Sequence, residues 1–375
     1  MDKLKNLLDR CLKITSDPLR EAERFLSDGQ RIVGCMPYFC PEELIHAAGM
    51  MPFGMWGAEI RAADSKRYFP SFFCSLLHTT LELGIIGAYK GFSAVMIPIL
   101  CDSLKCMGAN WEAGVSDIPV IPVAHAQNRK ITAGIEFTVS QYRKIQKCLE
   151  EISGRTVTDD QIAASVRIYN ENRAAGRRFL TALKKRPETL SPSERCAAMK
   201  CGYFIPVKEH TEILNNLAEC LEHSPVTVRK GARIVTTGMV ADNFGLLALL
   251  ESCGVSVADD QVTQESLRYR QDTPATFDPV YGLALRIGET EGCAVLYDPG
   301  KKRGEMLINL VKESGANGVL FTSTKFCDPE EYDYVPIKRM LDAEGIQSLL
   351  IETDMQTGFS ERARTALETF CEILQ

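Results

Sequence analysis

Short apolar runs alternate with amphipathic stretches along most of the chain, the order of strand and helix that a parallel sheet requires. The first strong run, Arg31-Ile32-Val33-Gly34-Cys35, predicts a strand. Residues 41–48 then carry a helical pattern that opens at Pro41 and stops at Gly49, and residues 50–56 are again extended in character. The same β-α-β syntax returns further on, with a strand at Arg233-Ile234-Val235-Thr236, a helix over residues 243–253 stopped by Gly254, and a strand at Val255-Ser256-Val257. This repetition predicts two lobes related by a weak internal duplication. Further strands are expected at residues 93–100, 120–124, 293–297, 318–322 and 347–351.

Between the lobes the period changes from strand-like to helical. Residues 137–152 place Val139, Tyr142, Ile145 and Leu149 on one face, and residues 161–183 do the same with Ile162, Val166, Tyr169 and Leu180. Thr158 and Gln161 have capping-box spacing before the second helix, and Pro187 follows its end. The expected fold class is therefore α/β: two Rossmann-like parallel-sheet lobes with a helical segment between them. The divisions are an N-terminal helical arm at 1–30, a first lobe at 31–135, the helical segment at 136–225 and a second lobe at 226–375.

Composition narrows the function. The chain has 375 residues, 45% of them hydrophobic, more than a single core usually accommodates. A formal net charge of -6 provides no basic field for nucleic acid, and no segment approaches the roughly 20 apolar residues that span a bilayer. Residues 1–14 mix charges with Leu4, Leu7, Leu8 and Cys11 at helical spacing, without a signal-peptide core, so a cytoplasmic protein binding neither nucleic acid nor membrane is expected. The chain also lacks a Gly-x4-Gly-Lys-Ser/Thr loop and a Gly-x-Gly-x-x-Gly fingerprint, so ATP and dinucleotides have no evident cradle.

Fourteen cysteines are many for a compartment that disfavours disulfides, which directs attention to metal or redox chemistry. Most are expected to be core: Cys148, Cys220, Cys253, Cys293 and Cys371 lie in or beside apolar patterns. No Cys-x2-Cys pair occurs, so zinc ribbons and the tandem ferredoxin run are excluded, and a metal site has to gather ligands from distant segments. Local grammar singles out three. Cys101-Asp102 and Cys327-Asp328-Pro329 follow strands and open helices, and Cys74-Ser75-Leu76 opens a helical pattern reaching Leu83. Helix N-termini favour thiolates and anionic clusters, and ligands of open parallel sheets collect beyond the strands' carboxyl ends. Spacing alone leaves two readings open, a shared metal site and three unrelated loop cysteines.

A resemblance bears on that choice. The run Tyr38-Phe39-Cys40-Pro41-Glu42-Glu43-Leu44-Ile45-His46-Ala47-Ala48-Gly49-Met50, then Cys74-Ser75, Cys101-Asp102-Ser103-Leu104-Lys105, Lys325-Phe326-Cys327-Asp328-Pro329 and Ile351-Glu352-Thr353-Asp354, resembles the 2-hydroxyacyl-CoA dehydratase family, which includes related benzoyl-CoA reductase subunits. The resemblance implies one 4Fe-4S cluster held by Cys74, Cys101 and Cys327, with one iron free of protein ligands. It also implies a homologous larger α subunit forming a heterodimer, and a separate ATP-dependent iron-sulfur activator that delivers one electron. The chain is most similar to the family's smaller, β-type subunits, those acting on (R)-2-hydroxyisocaproyl-CoA in leucine fermentation.

The chemistry so implied answers a real difficulty. The β-proton of a 2-hydroxyacyl thioester is unactivated, so elimination needs help from a cofactor. In the implied route an injected electron gives a ketyl radical, hydroxide leaves C2, the β-proton becomes acidic, and the electron returns with the (E)-2-enoyl-CoA. In a β-type subunit the resemblance then implies a cluster that serves as an electron relay or reservoir, the acyl-CoA lying mainly on the α subunit, and no catalytic base is nominated here. His46 and Glu59 are the nearest candidates, each weighed against an ordinary helix-surface role. Cys40 repeats the helix-start grammar and offers a possible fourth sulfur. Gly300-Lys301-Lys302-Arg303-Gly304 offers charge for a CoA phosphate or, more plainly, a solvated helix start. Two other functions compete: a benzoyl-CoA-reductase-like electron-transfer subunit and a non-catalytic cluster-carrying partner.

Overall fold

The protein is described by a computed structural model covering residues 2–225 and 231–374. The expected start of the second lobe, at residue 226, lies outside the described residues. Among the described residues, eight strands form two four-stranded sheets. The first comprises β1 (Ile32–Cys35), β2 (Met51–Gly54), β3 (Ala94–Pro98) and β4 (Val120–Val123), in the order β2-β1-β3-β4. The second comprises β5 (Arg233–Gly238), β6 (Ser256–Val262), β7 (Gly318–Thr324) and β8 (Gln347–Thr353), in the order β6-β5-β7-β8. All pairings are parallel, and the two orders are the same, so the duplication read in the sequence is a duplication of topology.

Helices cover both faces of each sheet, which explains why β1 and β3 are continuous apolar runs. In chain order they are α1 (Asp2–Ser16), α2 (Pro18–Ser27), α3 (Glu42–Ala47), α4 (Ser75–Ile85), α5 (Asp102–Gly114), α6 (Thr132–Ser153) and α7 (Asp159–Lys184). They continue with α8 (Pro192–Lys200), α9 (Val207–His223), α10 (Phe244–Ser252), α11 (Pro279–Glu289), α12 (Lys302–Ser314), α13 (Asp328–Ala343) and α14 (Glu361–Leu374). The capping box at Thr158 and Gln161 is present, and a second at Ser191 and Glu194 starts α8.

One face of the first sheet shares a core with the helical arm and α7, α8 and α9, through Leu8, Phe25, Trp111, Phe179, Leu214 and Leu217. Each fully buried side chain of this kind contributes roughly 1.5–3 kcal/mol. The other face packs on α3 and α6 through Leu44, Ile45, Tyr142 and Ile145. In the second lobe, α10 and α14 cover one face and α12 and α13 the other. No described helix is long and apolar enough to cross a membrane.

Two expectations change. Residues 293–297 form no strand: the segment turns, with Leu296 N–H donating to Cys293 O at 3.2 Å, and packs Cys293 and Leu296 against Met239 and Leu267. Its apolar residues plug the space between the lobes instead of extending a sheet. Strand β6 runs past the expected Val257, through Ala258-Asp259-Asp260-Gln261-Val262, and is buried throughout. Its acids are masked as strand signals because their partners are remote. Lys184 of α7 pairs with Asp259 at 2.5 Å, and Arg195 of α8 pairs closely with Asp260 and Glu265. Buried charge requires such pairing, and here it ties the helical segment to the second sheet.

The carboxyl ends of both sheets meet. Tyr38 and Phe39 beyond β1, Leu100 beyond β3, Met239 beyond β5 and Cys327 beyond β7 belong to one packed cluster. Gly238 ends β5 at φ 155, where a Cβ would stand 2.2 Å from Thr322 O, so only glycine lets the chain leave the sheet there.

Candidate functional site

Cys74, Cys101 and Cys327 are the N-cap residues of α4, α5 and α13. Each half-buried thiol therefore sits against the open first turn of a helix, where backbone N–H groups lack intrahelical acceptors. The Cys74 sulfur is served by the N–H groups of Leu76 and Leu77, Cys101 by those of Ser103 and Leu104, and Cys327 by that of Glu330. Two thiols come from the first lobe and one from the second. They are near enough to perturb one another: Cys327 feels both Cys74 and Cys101, and Cys74 feels Cys101. The exposed Asp328 acts on Cys74 and Cys101.

Burial dominates their acidity. It pushes the Cys74 thiol up to about 12 and raises Cys101 and Cys327 as well, with the amide donors working in the opposite direction. The helix starts therefore lessen the cost of a thiolate but do not by themselves produce one, because desolvation is the larger effect. Among the described residues, no group of three or more His, Cys, Asp or Glu lies close enough to hold a single metal ion.

The cleft is built from unusual backbone. Tyr38 and Phe39 adopt φ 72 and 59 immediately beyond β1, and Phe326 adopts φ 63 immediately before Cys327. Non-glycine residues pay for such conformations and keep them only where the surroundings enforce them. Tyr38 stands near Cys327, Cys74 and Cys293, which raise its phenol further after burial has done so. Its ring meets Trp56 edge-on at 5.6 Å. Cys327 N–H donates to Thr324 O at 2.9 Å, so the turn at Phe326 places the thiol over the end of β7. The loop after β8 closes the far side, with Met355 N–H donating to Ser75 Oγ at 3.2 Å and Lys325 facing Asp354 at 3.6 Å.

Behind Cys327 lies a buried charge group that the sequence did not disclose. Arg303, 4% exposed at its side chain, contacts Glu330 at 3.1 Å and Thr237 Oγ1 at 2.9 Å, and its partner Asp333 also takes Lys301 at 2.5 Å. Lys302 reaches Glu291 at 3.4 Å. The basic run at 300–304 is thus a helix start engaged with its own protein, and of its three basic residues Lys302 is the exposed one. The spacing Lys301, Arg303, Glu330, Asp333 contained no local signal, because the pairing crosses two helices.

Other candidates separate from the three thiols. Cys40 bonds through its thiol to Met36 O at 3.5 Å and faces Cys35, not Cys74, Cys101 or Cys327. His46 contacts Ser165 Oγ at 3.0 Å and packs on Tyr169, and Glu59 accepts from Asn243 Nδ2 at 2.9 Å and Phe244 N at 3.0 Å, stitching the lobes at the start of α10. Cys371 and Cys293 are buried and Cys148, Cys220 and Cys253 half-buried, as expected of packing residues.

Tyr38 and Phe39 also line a cleft of about 810 Å³ that opens to solvent and holds Glu42, Glu43, Arg173, Arg268 and Arg286. Glu42 and Glu43 occupy the first turn of α3, and Glu43 is buried in a close pair with Arg173. Arginines drawn from residues 173, 268 and 286 share no local pattern that would have announced this.

Residues 37–374 match the family described as 2-hydroxyglutaryl-CoA dehydratase, D-component. The chain is 43% identical to the (R)-phenyllactyl-CoA dehydratase beta subunit of Clostridium sporogenes, covering 92% of each protein. It is 35% identical to the beta subunit of (R)-2-hydroxyglutaryl-CoA dehydratase of Acidaminococcus fermentans, over 98% of this chain and 99% of that one. To one of the subunits of benzoyl-CoA reductase of Thauera aromatica it is 26% identical, over 80% of this chain and 79% of that one.

Proposed function

Because the chain belongs to the 2-hydroxyacyl-CoA dehydratase family, a family of hydro-lyases, as a relative of its beta subunits, we propose that it is the iron-sulfur subunit of an enzyme converting an (R)-2-hydroxyacyl-CoA to the (E)-2-enoyl-CoA. What supports this reading is that Cys74, Cys101 and Cys327 each cap a helix start, two in the first lobe and one in the second, and are near enough to perturb one another. Three thiols each supported by backbone N–H donors suit the donor chemistry of a 4Fe-4S cluster, and ligands spread over several irons need not meet at one point as they would around a single ion. When bound, the cluster supplies one-electron chemistry.

The chain's own residues prepare that site. The N–H groups of Leu76, Leu77, Ser103, Leu104 and Glu330 stabilise the sulfurs once their protons leave, which metal binding requires. Tyr38, Phe39 and Leu100 limit water on the interior side. His46 and Glu59 are committed elsewhere, so the proton chemistry belongs to a homologous larger α subunit that also binds most of the acyl-CoA, with electrons arriving from an ATP-dependent activator. The likeness to a phenyllactyl-CoA enzyme, greater than that to a 2-hydroxyglutaryl-CoA enzyme, supports an apolar acyl chain such as 2-hydroxyisocaproyl. The lower identity to a benzoyl-CoA reductase subunit favours dehydration over ring reduction.

Anaerobic purification tests the reading. About four iron and four sulfide per chain are expected, and Cys74→Ser, Cys101→Ser or Cys327→Ser should each remove most of them. A colourless protein under anaerobic handling sinks the proposal. Assay of the reconstituted pair with activator, for both dehydration and ring reduction, separates the two activities.

A further inference from the structure

The cleft behind Tyr38 and Phe39 contains more positive charge than its own acids satisfy. Three guanidinium groups line it, Arg173, Arg268 and Arg286, against two carboxylates, Glu42 and Glu43. Arg173 is used up: it pairs closely with Glu43 and also donates to Asn170 Oδ1 at 2.6 Å and Thr273 Oγ1 at 3.2 Å. Arg268 gives Nη2 to Glu42 at 2.8 Å and stacks over Tyr203, 4.2 Å from the ring centre, while its buried Nη1 has no acceptor. Arg286 gives Nε to Gln271 O at 3.2 Å and Nη2 to Arg268 O at 3.3 Å, and its Nη1 stands 3.9 Å from Glu43, beyond hydrogen-bond reach.

One guanidinium therefore lacks an acceptor for its Nη1 and another holds its nearest carboxylate beyond hydrogen-bond reach, in a cavity with a single positive charge in excess. A buried donor left unsatisfied is costly, and guanidinium forks match carboxylate oxygens. Apolar and aromatic walls, Trp56 and Tyr203 among them, stand beside the polar Asn172, Thr263, Gln271 and Thr290. Burial and the adjacent Arg173 hold Arg286 below its usual value, at about 10, despite Glu43 and Glu42.

We propose that this cleft binds a small organic monocarboxylate with an apolar body, its carboxylate bridging Arg268 and Arg286 and its hydrocarbon part lying against Trp56 and Tyr203. The inference stands independently of the three thiols, none of which lines the cleft. A CoA thioester is the wrong ligand for the charge: its phosphates carry several negative charges where the cleft offers one positive charge in excess, and its acyl carbonyl is neutral.

Tryptophan emission makes the test local. The chain has two tryptophans, Trp56 in the cleft wall and Trp111, fully buried in the first-lobe core with Nε1 bonded to Ile118 O at 3.1 Å. Titration of the full chain, purified anaerobically, with isocaproate or hydrocinnamate should give a saturable change in emission and a rise in thermal midpoint. The corresponding alcohols should give neither. Arg268→Gln, and separately Arg286→Gln, should weaken carboxylate binding at least about tenfold, the loss expected for a charge-assisted hydrogen bond. If either variant fails to fold, the contrast between acid and alcohol on the unaltered chain still decides. Equal responses to acid and alcohol, no response to any acid, or tighter binding of inorganic phosphate or isocaproyl-CoA would each overturn the proposal.

Discussion

The two lobes have the same strand order and differ in what they place at corresponding helix starts. In the first, α4 precedes the central strand β3 and begins at Cys74; in the second, α12 precedes the central strand β7 and begins at Lys301 in a left-handed conformation, followed by the buried Arg303. After the central strands the lobes agree, with Cys101 and Cys327 each followed by aspartate as their helices begin. Duplication thus accounts for two of the thiols, and divergence for the third thiol and for the lysine that caps the corresponding helix of the second lobe. The difference teaches that a symmetric scaffold becomes one asymmetric site by changing residues at helix starts, without changing the sheets.

The largest expected effect tests that asymmetry directly. Cys327→Ser, the second lobe's sole contribution among the three, should lower iron content as far as Cys74→Ser does, whereas Cys106→Ser, an exposed thiol on α5, should leave it unchanged. Retention of full iron by Cys327→Ser would assign the site to the first lobe alone.

Acid separates the lobes next. All five histidines precede residue 226, and burial lowers His125 to about 4 and His210 to about 3. Their folded values lie below the unfolded one near 6.5, so the unfolded chain binds more protons below that pH. Stability present above about 6.5 is lost as pH falls, by about 1.4 kcal/mol per unit for each group. Thermal midpoints measured from pH 7 to about 4.5 should fall, and His210→Asn should flatten the slope; an unchanged slope would place the acid sensitivity elsewhere.

Removing the second lobe's distinctive cation should cost somewhat less. Arg303→Ala leaves Glu330 and Asp333 buried without their guanidinium, a loss of about 3 kcal/mol measurable by urea unfolding. Arg303→Met together with Glu330→Gln should recover part of it, because the uncompensated charge is then removed. The smallest effect concerns Cys40, whose thiol contacts only carbonyls and Cys35: Cys40→Ser should shift stability by under about 1 kcal/mol and leave iron content unaltered.

Much of this architecture was legible in the order of residues, because strands covered on both faces read as apolar runs and helix starts follow local capping rules. Strands β1, β3, β5 and β7, helices α3, α7 and α10, and the placement of Cys74, Cys101 and Cys327 at helix starts all follow from neighbours within a few positions. What local pattern could not reveal was pairing at a distance. Strand β6 hides behind Asp259 and Asp260 until Lys184 and Arg195 arrive from the helical segment, and residues 293–297 look like a strand until the space between the lobes claims them. The left-handed turns at Tyr38, Phe39 and Phe326, the Arg303 group and the arginine-lined cleft were likewise decided only in the tertiary structure. Hydrophobic period and capping act over one or two turns of chain, whereas buried charge is stable only where a partner from another element meets it.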